Sequence, residues 1–213
     1  PDPGQVLPDP LSCAQCGPPT GGPFFVGGAM KDFHRDHPQF SLCGLNCLLC
    51  PMNLGGYCPG CGGGAGNQSC AVARCALEQG GVEFCTQCGQ FPCARYRKLL
   101  EYDSFIPHSR MVRDLERAGK RGTEVYITQL KERRAILDQL LAGYNDGRRK
   151  SFYCLAVYLL EPDSLRRAFA EICGAVPADS SVKEKAITAV GILKKAAEAD
   201  GVTLNLNKKP KEN

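Results

Sequence analysis

No stretch of this 213-residue chain approaches twenty consecutive apolar residues, so nothing in it reads as a membrane span. The longest apolar run, FYCLAVYLL at 152–160, has the length of a buried helix. Also missing are a phosphate-cradling P-loop, a dinucleotide glycine motif, a Ser/His/Asp pattern and an evident pair of carboxylates. These absences leave no catalytic chemistry legible, and no long internal repeat suggests a solenoid. Basic residues are scarce at the start. Residues 1–93 hold three Lys/Arg against six Asp/Glu, a net of −3, whereas 94–150 hold fourteen against eight, a net of +6. Residues 151–213 are nearly balanced at +1. A basic stretch can meet nucleic acid or an anionic ligand, but it more commonly forms a solvated helix face.

What the chain has in excess is cysteine: fourteen in all, twelve of them within the first 93 residues. A disulfide framework suits a small secreted domain, and a thiolate metal site suits a reducing interior. No secretory leader is apparent, so cytoplasmic placement is the expectation. The spacings favour metal. Cys43, Cys47 and Cys50 form C-x3-C-x2-C; Cys58 and Cys61 form CPGCG; Cys70 and Cys75 form C-x4-C; Cys85 and Cys88 form CTQCG, followed by Cys93. A C-x2-C loop sets two sulfurs on one side of a tight turn. Glycine after the second cysteine frees the backbone there, and two such knuckles supply the four thiolates of a closed zinc site. The same donors suit a four-thiolate iron–sulfur cluster. Zinc is the leading expectation and a [4Fe-4S] cluster the alternative. Ten cysteines make two four-thiolate sites with two thiols over; Cys13 and Cys16 are possible further ligands. Cys154 and Cys173 fall on apolar helical faces and read as core. His34 and His37 read as surface residues.

The backbone around the cysteines strengthens the metal reading. Seven of the twelve residues from Gly55 to Gly66 are glycine, so this stretch has much entropy to lose and few side chains to bury. Cross-links must supply what core burial cannot. The fold class expected is mainly α: a small cysteine-rich metal-knuckle module with little regular structure, followed by a helical domain. Residues 1–41 read as a flexible Pro/Gly-rich leader, in which Met30 would serve as a translation start. Residues 42–96 are the module, 97–207 the helical domain and 208–213 a disordered tail. Within the helical part, ARYRKLLEY continues out of the module. Pro107 stands near the start of the next helix, with Gly119 as its stop. Thr123 reads as an N-cap, YNDG as a turn, Pro162 to Ser164 as a helix start, and Ser180 or Ser181 as the cap of the last helix, with Glu184 completing a capping-box pattern. VTLNLN at 202–207 alternates like a short strand.

CGLNCLLCP, CPGCG, C-x4-C and CTQCGQFPC together resemble the uncharacterised bacterial and archaeal family called domain of unknown function 3795. The resemblance covers about residues 42–96. It implies a soluble group expected to bind zinc, with no assigned activity, and it matches the ten cysteines from Cys43 to Cys93.

Three functional expectations follow. The first is a metal-binding module that acts structurally or in binding a protein partner rather than by catalysis. The second is an iron–sulfur protein carrying electrons or supporting an anaerobic enzyme. The third is nucleic-acid binding through the basic 94–150 region. It ranks last because only Tyr57, Phe84 and Phe91 are aromatic within 43–93, too few for a stacking platform. Helix N-termini attract anions. Arg148, Arg149 and Lys150 at one helix start, with His108 and Arg110 at another, are therefore candidate anion-binding residues.

Overall fold

The computed structural model describes residues 33–64, 70–177 and 179–210. Among them are eight α-helices and no strand, so the chain is mainly α as its apolar periodicity implies. Helices α1 (Pro51–Leu54) and α2 (Ala71–Glu78) are short and lie among the cysteines. They are followed by α3 (Arg95–Leu99), α4 (Met111–Arg121), α5 (Thr123–Gly143), α6 (Lys150–Leu159), α7 (Pro162–Ala175) and α8 (Val182–Ala199). Two compact units result. Their described parts are residues 33–131 with 205–210, and residues 132–204. The division falls inside α5, not at residue 96 where the sequence suggested a border.

In the first unit, the cysteine block shares one core with the segment that follows it. Phe40, Leu42, Leu49, Met111, Leu115 and Ile127 are each at most 1% exposed. The Phe40 ring lies 4.7 Å from Tyr126 and 5.4 Å from Phe84, tilted against both. Buried Asn46 donates through Nδ2 to Asp114 at 2.9 Å and accepts from the Tyr126 hydroxyl at 3.0 Å. An amide buried without partners would be costly; here both of its ends are used. Residues 33–41 are therefore part of this fold and not the end of a flexible leader. The rest of the expected leader, including Cys13, Cys16 and Met30, lies outside the described residues.

Several element ends differ from the sequence expectation. Helix α4 begins at Met111, four residues beyond Pro107, and passes through Gly119. Glycine inside a helix costs about 1 kcal/mol relative to alanine. Burial of Met111, Leu115 and Ala118 on one face offsets that cost. The stop is Gly122 instead, whose φ of 91° favours a residue without Cβ. Thr123, expected as a cap, is the first residue of α5. Segment 202–207 alternates half-buried and exposed residues, but no ladder forms. It is held at Asp103, whose N–H donates to the Asn207 carbonyl at 2.8 Å and whose carboxylate accepts from Asn207 N–H at 2.7 Å. Lys208 Nζ donates to the Ser104 carbonyl, so the described start of the tail is anchored.

The second unit is built on Leu137, Leu140, Tyr153, Val157, Leu165, Ile172 and Leu193, all fully buried. Pro162 occupies the first turn of α7, and Ser181 with Glu184 forms the capping box of α8. Helix α7 packs mainly on α8, and α6 also touches α8. Asp200 ties helix ends together, accepting from Ser164 Oγ at 2.7 Å and from Glu161 N–H at 3.1 Å. Cys154 is 2% exposed in this core, and Cys173 accepts a long contact from the Tyr144 hydroxyl at 3.9 Å.

Candidate metal centre

No disulfide joins any of the twelve described cysteines. The ten between Cys43 and Cys93 are set by local turns. Cys47 opens a 3-10 turn (Cys47–Leu49), and Cys50 ends it; Pro51 then starts α1. Gly62, after CPGC, has φ +77°, as a knuckle requires, and a Cβ there would meet the Arg35 stem at 2.7 Å. Gly89, after CTQC, is not among the glycines with positive φ. Cys70 is the N-cap of α2, its sulfur accepting from Ala73 N–H at 3.3 Å. Cys85 starts a second 3-10 turn (Cys85–Gln87), which Cys88 ends, and Cys93 stands just before α3.

These thiols fall into two neighbouring groups. Around Cys47 lie Cys43, Cys50, Cys58 and Cys61, and both Cys43 and Cys61 sense Cys70. Around Cys85 lie Cys75, Cys88 and Cys93. The groups adjoin, since Cys43 also senses Cys85. Burial pushes the Cys43 thiol up to about 12 and the Cys85 thiol to about 11, with nearby sulfurs adding to the rise. Cys47 and Cys61 are raised for the same first reason. Opposing shifts are present: Ser41 Oγ contacts Cys43 Sγ at 3.1 Å, Arg35 acts on Cys61, and the Tyr96 hydroxyl acts on Cys85. These thiols thus stay protonated near neutrality, and a bound cation would have to displace their protons.

The second group surrounds a cavity of about 180 Å³ lined by Cys75, Cys85, Cys88 and Cys93, with Leu42, Val72 and Tyr96 in its wall. The donor chemistry suits a thiophilic metal. Among the described residues no group of three or more His, Cys, Asp or Glu side chains is placed to hold a metal ion as the structure stands.

Arg35 belongs to no motif that would have marked its role. Its side chain is 1% exposed. It donates to the Glu83 carboxylate at 2.9 Å, the Glu83 carbonyl at 2.8 Å and the Phe40 carbonyl at 2.8 Å. A further contact reaches the Cys61 carbonyl at 3.3 Å, and its guanidinium lies 5.0 Å from the Phe84 ring centre. It therefore joins residues 33–41, the CPGCG turn and the strap at Glu83. Of the flanking histidines, His34 is exposed, whereas half-buried His37 stacks on Phe84 at 5.9 Å and reaches Glu124 at 3.4 Å.

The expected anion-binding residues are divided between the two units. His108 is 8% exposed, with Nδ1 2.6 Å from the Leu99 carbonyl and Nε2 2.8 Å from Ser104 Oγ. Its N–H donates to Asp103 at 2.7 Å, so the residue shapes the loop before α4 instead of facing a ligand. Arg110 is the N-cap residue of α4. Arg148, Arg149 and Lys150 belong to the other unit. There Asp146 accepts from Arg148 N–H at 3.0 Å and pairs with the Arg149 side chain at 3.3 Å, offsetting the positive charge; Lys150 begins α6.

Comparison with protein-family models, with curated proteins and with solved structures finds no match for this chain. The resemblance in cysteine spacing therefore rests on the motifs alone.

Proposed function

We propose that this is a thiolate metal-binding protein in which residues 43–93 carry metal and acquire a fixed shape by doing so. The convergence of four cysteines on one cavity carries this reading. A second group of six thiols beside it, and a glycine-rich backbone with little core of its own, support it. We read the role as binding, with the metal-held surface presented to a partner. Zinc is the metal that the knuckle spacings lead one to expect.

Metal analysis of the full chain purified anaerobically tests the reading. A thiophilic metal in stoichiometric amount is the expected result, and its removal by chelation should leave 43–93 sensitive to protease. Unchanged protease resistance after complete metal removal would refute it.

A further inference from the structure

We infer that Cys75, Cys85, Cys88 and Cys93 are the complete ligand set of one divalent metal ion, and that Cys70, paired with Cys75 as C-x4-C in the sequence, lies outside that set. This assignment rests on the thiolate-metal reading above and names the ligands at one of the two sulfur groups. The first support is the geometry of α2. Cys70 is its N-cap and Cys75 its fifth residue. A five-residue step along an α-helix carries a side chain about 140° past a whole turn, so the two sulfurs leave the helix on different sides. Val72, Cys75, Ala76 and Gln79 share one side through their i+3 and i+4 spacing, and all four line the cavity of about 180 Å³. Cys70 is not among the lining residues. Its sulfur takes the Ala73 N–H at 3.3 Å and lies near Cys43 and Cys61 instead. Thus α2 spans the two sulfur groups, with one thiol at its start and one in its middle.

The other three thiols reach the same cavity from a second segment whose turns are fixed by backbone bonds. Cys85 N–H donates to the Leu42 carbonyl at 2.9 Å, which sets where the 3-10 turn begins. Cys88 N–H returns to the Cys85 carbonyl at 3.1 Å, and Phe91 N–H to the Cys88 carbonyl at 3.0 Å. The Cys93 carbonyl then accepts from Tyr96 N–H at 3.0 Å as α3 begins. One thiol from a helix and three from this folded segment make four, the number that a closed tetrahedral zinc site takes. Electrostatic neighbours divide in the same way. Cys85 senses Cys93, Cys75 and Cys88, whereas Cys47 senses Cys61, Cys43, Cys50 and Cys58. The buried Tyr96 hydroxyl lies within hydrogen-bonding reach of the Cys85 sulfur, the kind of outer contact that orients a metal ligand.

The test is anaerobic loading of the full chain with cadmium, an NMR-active stand-in for zinc. In cadmium–proton correlation spectra each bound ion reports the cysteine β-protons of its own ligands. Support would be one cadmium signal correlated with Cys75, Cys85, Cys88 and Cys93 and with no other cysteine. The Cys75→Ser, Cys88→Ser double variant should lose that signal, and Cys70→Ser should keep it. Should the double variant fail to fold, the correlations of the parent chain decide by themselves. A signal that joins Cys85 with Cys47 or Cys70, or that lacks one of the four, would overturn the assignment while leaving the thiolate-metal reading intact. Cadmium retained in full by a folded double variant, or the signal lost in Cys70→Ser, would overturn it as well. A parent chain that holds neither cadmium nor zinc would sink both inferences.

Discussion

Arg35 shows how much one residue can hold in a segment with few apolar groups. Its side chain is almost wholly enclosed, and five hydrogen-bond contacts engage the carbonyls of Phe40, Cys61 and Glu83 and the Glu83 carboxylate, two of them at 2.8 Å to carbonyls and one at 2.9 Å to the acid. Removing one partner of a buried ion pair leaves the other uncompensated, which costs about 3 kcal/mol or more. Arg35→Met should therefore destabilise the first unit by that order, seen as a lowered denaturation midpoint. Arg35→Lys should recover only part of the loss, because an ammonium cannot reproduce the planar fork. A midpoint for Arg35→Met equal to the parent would show the clasp to be dispensable.

At the start of α8 the same scale of argument gives a pH dependence. The Glu184 carboxyl is held below its ordinary value, first by the Ser181 hydroxyl and then by the Ser181 backbone N–H. A carboxyl depressed in the folded state contributes stability above its unfolded value, which is lost as pH falls through the folded one. The capping contribution should thus be intact at neutrality and fade below about pH 4.5. Ser181→Ala should cost about 1 kcal/mol at pH 7. In a pH series of thermal melts the difference between parent and variant should shrink in acid; a constant difference would contradict the proposed cap.

Between elements, Gly44 comes close against the start of α4. A Cβ on Gly44 would sit 2.2 Å from the Met111 carbonyl oxygen, and the residue has φ +99°. Gly44→Ala therefore strains the backbone and pushes the α4 start away from the turn between Cys43 and Cys47. The cost should exceed the 1 kcal/mol or so of an ordinary exposed glycine replacement. The same displacement should weaken the Asn46–Asp114–Tyr126 network, which joins the turn to α4 and α5. Two-dimensional NMR of Gly44→Ala should show shifts at Asp114 and Tyr126. Confinement of all shifts to residues 42–46 would mean that the contact is not transmitted.

At the scale of the whole molecule, the two units differ in what holds them. Residues 132–204 enclose Tyr144, Tyr153, Leu165, Ile172 and Leu193 without any thiol of the 43–93 block. The Tyr153 hydroxyl there donates to the Tyr144 carbonyl at 2.6 Å, closing the turn between α5 and α6. The first unit keeps a modest core around Phe40, Phe84 and Tyr126 but gives its glycine-rich cysteine turns little to bury. Removing metal should therefore abolish amide protection across 43–93 and spare that of 150–199. Hydrogen exchange before and after chelation measures this, and equal loss in both units would show that the metal governs the whole chain.

The sequence by itself determined the helical class and the starts of α7 and α8, and it put ten cysteines within 43–93 at knuckle spacings. Those features depend on local chemistry: apolar period, proline at a first helical turn, a serine facing a glutamate three residues on, and cysteines at knuckle spacing. It did not determine where α4 ends, because Gly119 and Gly122 look alike until side-chain burial favours helix at one and backbone reversal at the other. It gave His108 the look of a ligand-binding residue, when contacts with Leu99, Ser104 and Asp103 occupy it. Only the tertiary structure decided that residues 33–41 belong to the fold, that Arg35 clasps three segments, and that four of ten thiols converge on one cavity. Each of these depends on contacts between residues far apart in the chain. Arg35 and Glu83, for example, are separated by 48 positions, and no local pattern encodes their meeting.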